Sequence, residues 1–188
     1  MINIADNFLD SDMYQYIYNM LLSKDFQHIE IGEKSFWIQN SWVDFDEVVL
    51  NEINKIEGVK RRNILSFFRL ATDKFDTEWN IHADSIIDGE RPERALVLYL
   101  SPSNMEGLHG TAFWKHKSYG DSLPTNISLE NYDEVLLKDC NDMGKWDLHS
   151  VVGYKVNRAI SYPCSYFHSK YPNLGWADGR MVYVIFYK

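Results

Sequence analysis

The chain has 188 residues, 27 acidic against 19 basic, for a formal net charge of −8. With 45% hydrophobic and 15% aromatic residues it is too apolar for a disordered chain, and its length suits one domain with a sizeable core. The acidic balance argues against a general nucleic-acid binder and against an anionic membrane surface as partner.

In chain order, Met1 to Asp6 lacks the charged and apolar regions of a signal peptide. Asp10 or Ser11 caps a predicted helix whose apolar residues Tyr14, Ile17, Tyr18 and Leu21 follow helical spacing. Phe36 to Val43 is β-rich. Asp44 with Glu47 three residues on resembles a capping box, opening a helix with Val49, Ile53 and Ile56 on one face and Gly58 at its end. Residues 1–61 thus read as helical support with one strand. From residue 62, short β-rich segments follow one another: 64–71, 78–82, 95–100, 111–115, 151–161, 165–168 and 181–187. Turn signals separate them at Asp88-Gly89, Ser101-Pro102, Pro172-Asn173 and Asp178-Gly179. This pattern predicts a mainly β sandwich or barrel in one domain, with a core over 62–188. The polar insertion 116–150 carries a predicted short helix (Leu129, Tyr132, Leu136) and is expected to be a lid, a binding loop or partly disordered. Its acids, Asp121, Glu130, Asp133, Glu134, Asp139 and Asp142, read as a solvated face. Cys140 and Cys164 are too few for a disulfide scaffold and read as reduced thiols. The longest apolar runs, 95–100 and 181–187, fall far short of the ~20 residues that cross a bilayer. The expectation is a soluble, cytoplasmic protein.

The residues that carry chemistry begin at His82-Ala83-Asp84. On an extended segment, positions i and i+2 face the same way, so an imidazole and a carboxylate project together. These are two of the three ligands of a facial triad that binds non-haem Fe(II) and leaves positions open. His168 is the expected third. Beyond it, Arg180 opens the last strand, on which Arg180, Val182, Val184 and Phe186 share one face. If that face lines a barrel, a guanidinium sits at the mouth of an apolar cavity and calls for a carboxylate held bidentately. His149 with Arg158 is the rival distal pair. His28, His109 and His116 have no carboxylate at ligand spacing, and His116, between Lys115 and Lys117, is expected to be solvated. Trp79, Trp114, Trp146 and Trp176 are candidates to wall a substrate entrance, with core packing the competing role.

These residues resemble the 2-oxoglutarate/Fe(II)-dependent oxygenase superfamily on its prolyl-4-hydroxylase-like side. The resemblance covers most of the chain: residues 4–9 before a helix, Phe67-Phe68-Arg69, His82-Ala83-Asp84, and Leu98-Tyr99-Leu100 followed by the stretch from Gly107 to Phe113. Asn157-Arg158, Phe167-His168 and Gly179-Arg180 resemble a smaller bacterial and phage branch. Leu108 and His109 interrupt the family's Gly-Gly turn. The resemblance implies a double-stranded β-helix of the jelly-roll or cupin kind. It implies Fe(II) on His82, Asp84 and His168, the distal carboxylate of 2-oxoglutarate on Arg180 with a second hydrogen bond from Tyr99, and O2 as co-substrate. The activity implied is hydroxylation of a small molecule or protein side chain, with succinate and CO2 as co-products. Two alternatives stand beside it: a non-enzymatic jelly-roll binding module, and a cupin-like metalloenzyme that does not use 2-oxoglutarate.

Overall fold

The computed structural model describes residues 1–31, 34–74, 76–84, 87, 89–101, 107–177 and 179–188, and only the backbone at positions 31, 34, 35 and 129. The turn residues Asp88, Pro102 and Asp178 lie outside the described residues.

Asp10 caps α1 (Ser11–Leu22) by accepting the Met13 amide, and Ile17 and Leu21 turn inward. The helix α2 (Val43–Glu57) starts before the expected capping box. Trp42 is its N-cap without a side-chain cap bond, and Asp44 sits in the first turn, where its charge suits the helix dipole. Val49 and Ile53 are buried as expected, whereas Ile56 is 52% exposed. Gly58 ends the helix in the left-handed conformation, at φ 69°.

Among the described residues, ten strands make two antiparallel sheets. The larger runs β1 (Asn3–Ala5), β8 (Ala159–Pro163), β5 (Arg94–Tyr99), β10 (Arg180–Tyr187), β4 (Asn63–Ala71), β3 (Lys34–Asn40), β2 (Gln27–Ile31); the smaller runs β7 (Trp146–Gly153), β6 (Gly110–His116), β9 (His168–Tyr171). The first third therefore supplies three strands rather than one, and β1 crosses the whole chain to pair with β8. The segment 151–161 is two strands, β7 ending and β8 beginning, separated by a turn with Asn157 at φ 57°. Residues 78–82 form no strand; His82 makes only an isolated bridge to His168, where β9 begins.

Strand alternation distributes the core into layers. On β10, Met181, Tyr183, Ile185 and Tyr187 pack outward against Ile17, Leu21, Phe45, Val49 and Ile53 of the two helices. Val182, Val184 and Phe186 face the space between the sheets, with Val97, Phe113 and Tyr162. The back of the small sheet, Ala112 and Trp114, is covered by the insertion. There α3 (Leu129–Asp133) runs into a π-helical turn over Glu134–Lys138, burying Val135 and Leu136. The insertion is thus packed as a cover on the small sheet, and none of its described residues lines the central cavity. Gly110 opens β6 where an added Cβ would collide with the Val152 carbonyl, so this close approach of β6 and β7 requires glycine. No helix among the described residues is long and apolar enough to cross a membrane.

Candidate metal centre and its cavity

Between the sheets lies a cavity of ≈ 340 Å³, its walls largely aliphatic and aromatic. His82, Asp84 and His168 open into it, as do Arg180, Val182, Val184 and Phe186 of β10. The expected inward face of the last strand is therefore the observed one.

The three triad residues come together from two directions. His82 and Asp84 lie on the segment bridged to β9, where the His82 amide donates to the His168 carbonyl at 3.0 Å and the His168 amide returns the bond at 2.8 Å. The Asp84 amide donates to the Cys164 carbonyl at 2.8 Å, fixing the carboxylate end of the segment. One ligand atom from each of the three residues lies within 4.8 Å of the other two. His82 Nε2 is 3.6 Å from Asp84 Oδ1, and His168 Nε2 is 3.4 Å from Asp84 Oδ2. Each imidazole is held from behind: His82 Nδ1 donates to the Asn80 carbonyl at 2.7 Å and His168 Nδ1 to the Tyr166 carbonyl at 2.9 Å. A neutral histidine has one N–H, so these bonds place the hydrogen on Nδ1 and leave the Nε2 lone pair facing Asp84. Burial first, and then the Asp84 carboxylate, push the Tyr162 hydroxyl and the Cys164 thiol above their ordinary ranges.

Arg180 is 6% exposed. Its Nη2 donates to Thr111 Oγ1 at 3.3 Å, and its Nε is buried with no partner. The guanidinium carbon sits over the Tyr99 ring at 5.4 Å and the Trp176 ring at 5.6 Å. Tyr99 is fully buried, stacked on Tyr154, and its hydroxyl donates to Thr111 at 2.8 Å. Thr111 thus gathers both groups, a role the sequence reading missed. Position 111 opened a predicted β-rich segment, but nothing in the sequence says that its hydroxyl meets Arg180.

The other candidates lie elsewhere. His149 is exposed on β7, and Arg158 bonds Asp6 and the Gly153 carbonyl, so neither reaches the cavity. His109 packs against Trp176, with ring centroids 3.9 Å apart. His116 is buried, not solvated, and its Nε2 meets Asp139 Oδ2 at 3.1 Å. Asp139 is correspondingly buried, whereas the other five acids named in the insertion are exposed. Of the tryptophans, Trp79 lines the cavity, Trp176 flanks Arg180, and Trp114 and Trp146 pack behind the small sheet. Cys140 and Cys164 are buried and form no disulfide.

No family model and no curated protein sequence matches the chain. Solved structures do. The epimerase SnoN from nogalamycin biosynthesis, described as non-haem and α-ketoglutarate-dependent, aligns with TM-score 0.65 at 11% identity, over 99% of this chain and 77% of its own. HygX from Streptomyces hygroscopicus, with nickel and 2-oxoglutarate bound, aligns with TM-score 0.60 at 12% identity, over 99% and 81%. An oxidoreductase of the 2OG-Fe(II) oxygenase family from Burkholderia pseudomallei aligns with TM-score 0.57 at 10% identity, over 100% and 85%. The fold is that of the 2-oxoglutarate/Fe(II) oxygenases. It is the jelly roll that the resemblance implied, and in this chain the fold carries the His82-Asp84-His168 cluster inside it.

Proposed function

We propose that the chain is an Fe(II)- and 2-oxoglutarate-dependent oxygenase that hydroxylates a small molecule or a protein side chain. One observation carries the reading: a His-Asp-His cluster and a buried arginine with an unpartnered Nε open into the same apolar cavity. The residues suit the groups they would hold. Two Nε2 lone pairs and a carboxylate form a mixed N/O donor set suited to Fe(II). Arg180, desolvated and short of one acceptor, suits the distal carboxylate of 2-oxoglutarate. Thr111 and the aromatic rings of Tyr99 and Trp176 restrict the guanidinium to one orientation. In this reading Tyr99 acts through Thr111 and its ring face.

Bound Fe(II) and 2-oxoglutarate would supply the activation of O2, with succinate and CO2 as co-products and one oxygen atom entering a substrate C–H bond. The chain's own share is positioning. The Asn80 and Tyr166 carbonyls hold the two imidazoles in the tautomer that presents Nε2. Val97, Val182, Val184 and Phe186 exclude water and offer no polar group to a reactive species. The similar structures include an epimerase and a carbocyclase, so the fold by itself admits several outcomes; hydroxylation is the outcome implied by the sequence resemblance.

The test is anaerobic addition of Fe(II) and 2-oxoglutarate. A visible charge-transfer band that is absent in Asp84→Ala, and succinate formed on admitting O2, are the expected results. Metal binding that persists without 2-oxoglutarate affinity would leave a cupin-like metalloenzyme. No metal binding at all would leave a binding module.

A further inference from the structure

The cavity has a second cationic cluster that the triad and Arg180 do not use. Arg69 stands opposite Val182 in the β4–β10 register, on the cavity face, as Arg180 does. Lys170 follows His168 by two positions on β9 and faces the same way. Asp76 lies between them, accepting from Arg69 Nη2 at 2.7 Å and from Lys170 Nζ at 2.9 Å. Lys170 Nζ also donates to the Glu78 carbonyl at 2.6 Å. Phe36 supports the Arg69 guanidinium, 4.8 Å from ring centroid to Cζ. Arg69 Nε is buried with no partner. Asp76 and Asp84 are the only acids among the described residues that line the cavity.

These charges do not balance. Arg69 and Lys170 bring two positive charges against the single negative charge of Asp76. In the oxygenase reading the other charged groups among the described lining residues sum to zero: Asp84 and the two carboxylates of 2-oxoglutarate offset Fe(II) and Arg180. Among the described residues one positive charge is left over in a partly buried space, and the buried Arg69 Nε has no acceptor. An excess of one matches a carboxylate better than a doubly charged phosphate monoester.

We propose that the substrate carries a carboxylate that docks on Arg69, with an apolar body lying along Phe67, Val184 and Phe186. Lys170 and Asp76 are positioning residues: they fix the guanidinium and set the surplus charge. The proposal rests on the oxygenase reading for the role of the site.

The experiment compares 3-phenylpropionate with its uncharged amide, binding to the chain loaded with Ni(II) and 2-oxoglutarate, followed by calorimetry and tryptophan fluorescence. The loaded chain is used so that neither the metal nor Arg180 is open to the probe. The acid is expected to bind about ten- to a hundredfold tighter than the amide, the range of one charge-assisted contact. Arg69→Met should erase that preference while leaving Ni(II) and 2-oxoglutarate binding unchanged. Asp76→Asn should enlarge it, and Lys170→Met should shrink it. A cluster that merely ties β4 to β9 would lose stability in all three variants without this ordered change. Equal binding of acid and amide, no binding of the acid, or a preference that survives Arg69→Met would overturn the proposal. If Arg69→Met does not fold, the opposite shifts in Asp76→Asn and Lys170→Met decide the matter. Failure of the oxygenase reading looks different: Ni(II) and 2-oxoglutarate do not bind, yet the unloaded chain still prefers the acid, and that preference is lost in Arg69→Met but kept in Arg180→Met.

Discussion

Among the described residues, two histidine–aspartate clusters lie on the two sides of one small sheet, and they are wired in opposite senses. In the cavity, His82 and His168 each donate from Nδ1 to a backbone carbonyl, and both Nε2 atoms face Asp84. Behind the sheet, His116 Nδ1 instead accepts the Ser118 amide at 3.2 Å, so the ring hydrogen sits on Nε2 and is donated to Asp139. The first arrangement leaves two lone pairs and a carboxylate converging on one space. The second consumes every polar atom of the imidazole in holding the insertion to β6. A histidine near an aspartate is therefore no metal site by itself; what the backbone does to the far nitrogen decides the matter.

The largest test of this contrast is metal affinity. Asp84→Ala should weaken Ni(II) or Fe(II) binding by more than ~100-fold, whereas Asp139→Ala should leave it unchanged, both measured by titration of folded protein. Loss of metal binding in Asp139→Ala would make the two clusters one system and break the comparison. Nitrogen NMR of the imidazoles sharpens it: the metal-free chain should show Nδ1–H at His82 and His168, but Nε2–H at His116. A common tautomer at all three rings would remove the physical distinction.

Next in size is stability. Asp139→Ala strands the buried His116 donor and should cost about 1–3 kcal/mol in denaturant unfolding. Asp84→Ala should cost less, because the Nδ1–H tautomers leave neither His82 nor His168 with an N–H that the substitution would strand. Equal losses in the two variants would show that both aspartates are held as structural acceptors.

How much of this was legible beforehand differs between the clusters for a physical reason. The cavity triad could be read because strand alternation carries it: positions 82 and 84 face one way, and on β10 Arg180, Val182, Val184 and Phe186 keep the inward face from end to end. The argument held although 78–82 is no strand, since one bridge to His168 extends the segment at the point that matters. His116 was misread from its flanking lysines. The same alternation argues the other way, because Lys115 exposed on β6 implies His116 inward. The partner Asp139 had no local signal; it is placed by the docking of the insertion on Ala112 and Trp114, a contact between segments distant in sequence. For the same reason β1 and β2 went unseen: β1 has three residues, β2 alternates polar and apolar side chains along a sheet edge, and each is a strand only by virtue of its neighbour. Lys170 and Arg69 lay within reach of the alternation argument, two positions after His168 and inside a recognised strand. Only their shared contact with Asp76 required the fold.

The smallest effect tests how the rear cluster is built. Trp146 opens β7 and donates from Nε1 to the Asp139 carbonyl at 2.7 Å, while its ring meets His116 edge-on at 4.6 Å between centroids. Trp146→Phe keeps much of the ring packing and removes the one donor, so it should cost about 1–2 kcal/mol. Because the bond goes to the Asp139 backbone and not to its carboxylate, the His116–Asp139 pair should survive, with His116 still protonated on Nε2. A tautomer change at His116 in this variant would mean that the tryptophan, rather than the Ser118 amide, orients the ring. It would shift the origin of the contrast between the two clusters from the β6 backbone to the packing of the insertion.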